Sequence, residues 1–176
     1  PLQSAAAATT DIPILGTSVT DYATALDISD WSGTTGRNIS GTSDLAPLSE
    51  QAAMLNELFP DAKNVGLLYC SAEANSQYQI DVIKEELEKL NYTCTAYSFV
   101  DSNDIASVVQ SAVNDNDVLY VPTDNTAASN TEVINNIAGE AGVPIIAGEA
   151  GICKGCGVAT LSISYYDLGY QTGKMA

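Results

Sequence analysis

Apolar residues recur along this chain in two alternating rhythms. Leu48, Ala52, Leu55 and Leu58 are spaced for one face of a helix, and Pro60 stops it. Val65 to Cys70 follows as a short, nearly unbroken apolar run, the pattern of a strand covered on both faces. The same alternation then repeats. Ile80, Ile83, Leu87 and Leu90 form a second helical stripe, and Thr95 to Val100 a second strand. Ile105, Val108, Val109 and Ala112 form a third stripe before the strand Val118 to Val121. Val133, Ile134, Ile137 and Ala141 lie on a helix that leads into the strand Val143 to Ala147. Ala159 to Ile163 predicts one more strand, and a final helix runs from about Tyr165 to the end.

The opening is less regular. Residues 1–10 look like the last turns of an Ala-rich helix, and Asp11 to Leu15 is a short strand. Residues 27–38 are rich in Gly, Ser and Thr and carry the only Trp, so they predict an exposed excursion. Strand and helix in strict alternation, with short connections, mean parallel strands joined by right-handed crossovers. The expected fold is α/β: an open parallel sheet with helices on both faces.

In such sheets ligands bind beyond the carboxyl ends of the strands. Those positions hold Gly16-Thr-Ser-Val-Thr-Asp21, Ser71-Ala-Glu-Ala-Asn-Ser76, Thr123-Asp-Asn-Thr126 and Gly148-Glu-Ala-Gly151. They mix carboxylates, amides and hydroxyls, and they precede helices whose free N–H groups attract anions. A rim of this kind suits a zwitterion, its carboxylate held by amides and hydroxyls and its ammonium by Asp124 or Glu149. The same residue types are also preferred helix N-caps, and both readings stand. Asp101-Ser-Asn-Asp104 also ends a strand and is read as capping alone.

Composition narrows the function. Of 176 residues, 45% are hydrophobic, enough for one good core or two modest lobes. Twenty-two acidic residues face six basic ones, for a formal net charge of −16. That excess excludes nucleic acid as a partner and disfavours an anionic membrane surface. No apolar run reaches the roughly 18–20 residues of a membrane span. Pro1 to Thr10 lacks the basic and apolar regions of a signal peptide.

Histidine is absent, which removes Ser-His-Asp and Cys-His nucleophiles and the usual zinc sites. Gly169 to Lys174 is one residue short of a phosphate loop, and Met175 stands where Ser or Thr belongs. Asp124 as a phospho-acceptor needs a Lys after a later strand, and Pro144 to Glu149 offers none. No enzyme, cofactor or metal is expected. Cys153-Lys-Gly-Cys156 has C-x-x-C spacing, expected in a Gly-rich loop before the late strand, and either a local disulfide or a reduced pair fits it.

Five motifs in order carry a resemblance: Gly41-Thr-Ser-Asp44, Leu68 to Ser76, Tyr120 to Thr126, Gly148-Glu-Ala-Gly151 and Ser164 to Gly173. From about Asp11 onward the chain resembles substrate-binding proteins of ABC importers, in the subfamily linked to tryptophan and related amino acids. The resemblance implies a periplasmic-binding-protein type I fold: two Rossmann-like lobes clamping a small amino-acid-like ligand. It implies residues 1–40 as part of the first lobe, 41–160 as the second, with Ile39–Asp44 crossing between them. Residues 161–176 would return to the first lobe. It further implies that most of the first lobe lies outside this chain, which favours self-association, so a truncated assembly module is the alternative function. Expected ligand contacts are Ser18, Thr20, Asn75, Ser76, Asp124, Asn125 and Glu149. The implied partners are the importer's membrane subunits, and the implied location is extracytoplasmic, at the cell surface as a lipoprotein or in the periplasm.

Overall fold

In the computed structural model, which describes residues 1–176, the apolar stripes become helices and the apolar runs become strands. The chain divides into two units, Pro1–Leu45 with Ile163–Ala176, and Ala46–Ser162.

The larger unit carries the sheet. Its strands are β3 (Asn64–Cys70), β4 (Thr93–Phe99), β5 (Val118–Val121) and β6 (Ile145–Ala147), after β1 (Ile14–Gly16) and β2 (Ile39–Gly41) of the other unit. They lie in the order β4-β3-β5-β6, all parallel. The connecting helices are α4 (Ala74–Lys89), α5 (Ile105–Asp115), α6 (Asn125–Ala128) and α7 (Thr131–Ala141), with α3 (Leu48–Leu58) before and α8 (Ala150–Cys156) after. The chain moves outward from β3 to β4, then crosses to the other side of β3 for β5. The direction of winding therefore switches between β3 and β5.

Alternate residues of each strand serve opposite layers. Val65, Leu67 and Tyr69 of β3 pack with Leu55 of α3 and with Ile80, Ile83 and Leu87 of α4. Leu68 and Cys70 pack with Val109 and Ala112 of α5, Ile134 of α7 and Ile152 of α8. Leu55, Ile83 and Leu87 have no exposed surface, and each contributes about 1.5–3 kcal/mol by burial. As an edge strand, β4 departs from the apolar expectation, with Thr93, Thr95, Ala96 and Ser98 exposed. Helix α7 ends where Gly142 takes the left-handed conformation (φ 69°), the glycine stop common at helix C-termini.

The smaller unit holds α1 (Leu2–Ala8), β1 (Ile14–Gly16), α2 (Tyr22–Leu26), β2 (Ile39–Gly41) and α9 (Tyr165–Met175). Strands β1 and β2 pair in parallel from Ile14–Ile39 to Gly16–Gly41. A side chain at Gly41 would start 1.9 Å from the Gly16 carbonyl, and its φ of 151° is open only to glycine. The excursion over residues 27–38 is largely exposed, with Trp31 at 45%, and Asn38 Nδ2 ties its end to the carbonyls of Thr9 and Ile12. Neither α1 nor α9 buries a residue.

Three expectations need correction. Ala159–Ile163 is no strand: a single parallel bridge, Ile146 to Ala159, is all that forms. Cys153 and Cys156 lie on α8, not in a loop, because Glu149 caps a helix through the glycines. Asp104 makes no side-chain cap; instead the Asp101 carboxylate accepts from the Asn103 backbone N–H in a local turn.

Candidate functional site

The polar cluster sits where the winding switches, beyond the carboxyl ends of β3 and β5. Asp124 follows β5 and turns inward. One carboxylate oxygen accepts from Cys70 N at the end of β3, the other from Ala127 N inside α6, each at 2.7 Å. The residue is only 1% exposed. Burial pushes its carboxyl above the ordinary range and the nearby Glu73 charge adds to this, while the Ala127 and Cys70 amides and the Ser76 hydroxyl oppose it.

Glu73, in the loop after β3, completes the arrangement from the other side. One of its oxygens accepts from Thr126 N and Oγ1 at 2.9 and 2.7 Å; the other accepts from Asn125 N and Nδ2 at 3.0 and 2.7 Å. Burial alone would raise its pKa, but the hydrogen bonds from Thr126 and Asn125 outweigh that and hold it below the ordinary value. The first three N–H groups of α6 thus face carboxylates from two different loops, the favourable polarity at a helix N-terminus.

Two amides clasp the same loops. Asn75 Nδ2 donates to the Thr123 carbonyl at 3.2 Å and lies 3.4 Å from Ser76 Oγ. Gln79 is fully buried; its Nε2 donates to the carbonyls of Asn75 and Thr123, and its Oε1 accepts from Thr123 N. Asn75, Ser76, Asp124 and Asn125 are therefore brought together, with Asn125 exposed, Asn75 half-buried and Ser76 buried.

The third loop joins through its backbone. Gly148 N donates to the Val121 carbonyl at 2.7 Å, and a side chain at Gly148 would meet the Pro122–Thr123 backbone at 2.7 Å. Fully buried Gln51 holds this loop from beneath. Its Nε2 donates to the Gly148 and Leu161 carbonyls, and its Oε1 accepts from Tyr120 OH at 2.6 Å. Glu149, half-buried, caps α8 by accepting from the N–H groups of Gly151 and Ile152.

Ser18 and Thr20 lie on the smaller unit. Ser18 has a left-handed backbone (φ 56°), unusual for a residue other than glycine. Buried Thr20 donates to Asp44 Oδ1 at 2.9 Å, and Tyr165 OH reaches Oδ2 at 3.5 Å. Asp44 is 5% exposed and is met by hydroxyls; the two ion pairs of the chain, Lys84–Glu88 and Lys89–Glu86, are elsewhere. Sequence reasoning passed over Asp44, Glu73, Gln51 and Gln79 as site residues. The glutamines left a signal, since each sits on an apolar helical stripe, three residues after Leu48 and four before Ile83.

No group of three or more Cys, Asp or Glu side chains is placed to hold a metal ion. What the rim offers is a set of acceptors and amides held by the strand ends.

The family model described as "ABC transporter substrate binding protein" matches residues 2–176. A tyrosine-binding protein of Clostridioides difficile is 36% identical over 174 residues, covering 99% of this chain and 50% of the relative. This chain thus spans about half the length of that curated relative. Among solved structures, the ABC domain from Streptococcus pneumoniae in complex with L-Trp superposes with a TM-score of 0.90 at 32% identity, over 98% of this chain and 60% of the other. The ligand-free, open form of a substrate-binding protein with adhesive properties from Clostridium difficile gives a TM-score of 0.73 at 38% identity, over 98% and 58%.

Proposed function

The chain belongs to the ABC transporter substrate-binding proteins, and from that premise we propose that it binds a free aromatic amino acid and delivers it to the membrane subunits of an importer. Its family and relatives are binding proteins, not enzymes. The aromatic preference is supported by two similar proteins, one called tyrosine-binding and one solved with L-Trp. No helix here is long and apolar enough to cross a membrane. Delivery of this kind is an extracytoplasmic task, and attachment as a lipoprotein or confinement in a periplasm belongs to the same proposal.

The observation that carries the reading is the convergence of Asn75, Ser76, Asp124 and Asn125 at the switch between β3 and β5. Their surroundings sort their parts. Exposed Asn125 and half-buried Asn75 and Glu149 meet the solute, Asn75 taking its carboxylate at the start of α4. Asp124 and Ser76 hold the loops behind them, and the Asp124 and Glu73 carboxylates give the rim the negative field that draws an ammonium group. On the smaller unit, taken by itself, Ser18 and Thr20 are the proposed ligand contacts, Thr20 beside Asp44, a buried carboxylate without a cation.

Calorimetric titration of the protein at its natural length with L-tyrosine, L-tryptophan, L-phenylalanine and L-leucine tests this. The expected result is saturable binding of aromatic amino acids in preference to leucine. Asn75→Ala and Asn125→Ala should each weaken it by about 1–3 kcal/mol, the range for hydrogen bonds to a charged group. Equal indifference to all four amino acids would remove the reading, as would wild-type affinity in both variants.

A second reading rests on a different observation. Helix α9 exposes Tyr165, Tyr166, Tyr170 and Met175, so the chain is also a candidate for self-association through the smaller unit. A mass in solution that rises with concentration, unaffected by amino acids, would favour that assembly role.

A further inference from the structure

The C-x-x-C pair is the one chemical motif that the binding function leaves unused. Cys153 and Cys156 both carry free thiols and lie one turn apart on α8. Helix geometry places α-carbons three residues apart at about 5 Å, inside the 4.4–6.8 Å range found for disulfides. The side chains share a face: Cys156 belongs to the buried cluster over β6, and Cys153 packs against the same cluster.

Two further details favour bond formation. Cys153 Sγ lies toward the end of the helix, 3.3 Å from where a side chain at Gly157 would begin. Cys156 is the last helical residue, and Gly157 is already extended (φ −93°, ψ 158°), so the final turn can tighten without unwinding a longer helix. The Cβ atoms of an i, i+3 pair stand about 5–6 Å apart and must close by roughly 1–2 Å to bond. The other two thiols have no such option. Cys70 pairs with Phe99 and Cys94 with Val65 in the β3–β4 register, which separates them by about five residues, or roughly 16 Å along the sheet.

We propose that Cys153 and Cys156 are a modification site, oxidised to a disulfide within the last turn of α8 by exchange with a low-molecular-weight aliphatic disulfide. Half-buried Cys153 reacts first. Its thiol gives its proton to solvent, and the sulfur attacks one sulfur of the small disulfide, breaking that bond and releasing one thiolate, which takes up a proton. Cys156 then loses its proton and attacks the Cys153 sulfur of the mixed disulfide, expelling the second small thiol. Two protein thiols lose two electrons, and the small disulfide gains them. Burial pushes both thiols up, Cys153 above its ordinary value and Cys156 to about 12, and nearby Glu149 adds to this. That suits a slowly formed structural staple rather than a catalytic redox pair. The bond would tie down the helix whose N-terminus Glu149 caps at the rim.

The test is thiol counting. The reduced protein is incubated with a small aliphatic disulfide, freed of excess reagent, unfolded in urea and labelled with a maleimide. Four labels are expected before exchange and two after it. Proteolytic mapping should find the 153–156 segment lighter by two hydrogens. A protein carrying Cys70→Ser and Cys94→Ser should still lose both remaining labels, whereas Cys153→Ser should leave Cys156 unable to close a ring. Retention of all four labels after exchange would overturn the proposal. So would a loss of labels that maps to Cys70 or Cys94, or to a link between chains.

Discussion

At the scale of single residues, the cluster is governed by two carboxylates whose pKa values are shifted in opposite directions. Glu73 has a folded pKa held below its ordinary 4.5, so its contribution is present above that value and lost as pH falls through the lowered one. Asp124 has a folded pKa above its ordinary 3.8, so its ionisation is a cost at neutral pH that acid relieves. Glu73→Gln should therefore destabilise the protein at neutral pH, and the difference from wild type should shrink as acid protonates the native Glu73. Urea melts at about pH 7 and about pH 3.5 measure both quantities; a difference that grows in acid would contradict the assignment. Asp124→Asn replaces one accepting oxygen with a donor that faces a backbone N–H. It should cost about 1–3 kcal/mol of stability at neutral pH, read from the same melts. Asp124 as the cap of α6 was one of the two readings the sequence left open; the part played by Glu73 was not legible. Glu73 reaches partners 52 and 53 positions away, and no local pattern encodes which turn a carboxylate will cap.

Helices were legible in proportion to their length. Helices α3, α4, α5 and α7 each run 11 residues or more, long enough for the 3.6-residue period to show, and all four were expected. Helix α6 has four residues and β2 three, too few for any period to emerge. Helix α8 was hidden by its glycines, which count against a helix in isolation but here allow close packing. A side chain at Gly155 would lie 2.3 Å from Thr131 Oγ1 at the start of α7. The strands after which the rim loops fall were also foreseen; the buried glutamines beneath them were not, because an amide reads as polar and predicts exposure. Gly148→Ala tests the backbone approach between the β5 and β6 loops. Because the clash falls on main chain, the substitution should cost about 1–3 kcal/mol, measured by thermal unfolding, and should disturb both loops together.

On the scale of the whole molecule, burial is uneven. The larger unit has buried residues on every strand, whereas α1 and α9 of the smaller unit have none. Local opening costs little where few apolar contacts resist it. Amide hydrogen exchange should therefore be slowest in β3, β5 and β6, and fastest in α1 and α9. Equal protection in both sets would mean that α1 and α9 are held as firmly as the central strands, against this expectation.

The exposed stretch over residues 27–38 gives this asymmetry a practical outcome. It holds Arg37, one of the chain's six basic residues, on open backbone where trypsin can reach it. The cut would fall outside the segment that builds the parallel sheet, so a brief digest should leave a resistant fragment containing residues 46–162. Such a fragment would carry both halves of the clasp between Glu73 and Asn125, ready for crystallisation or for grafting.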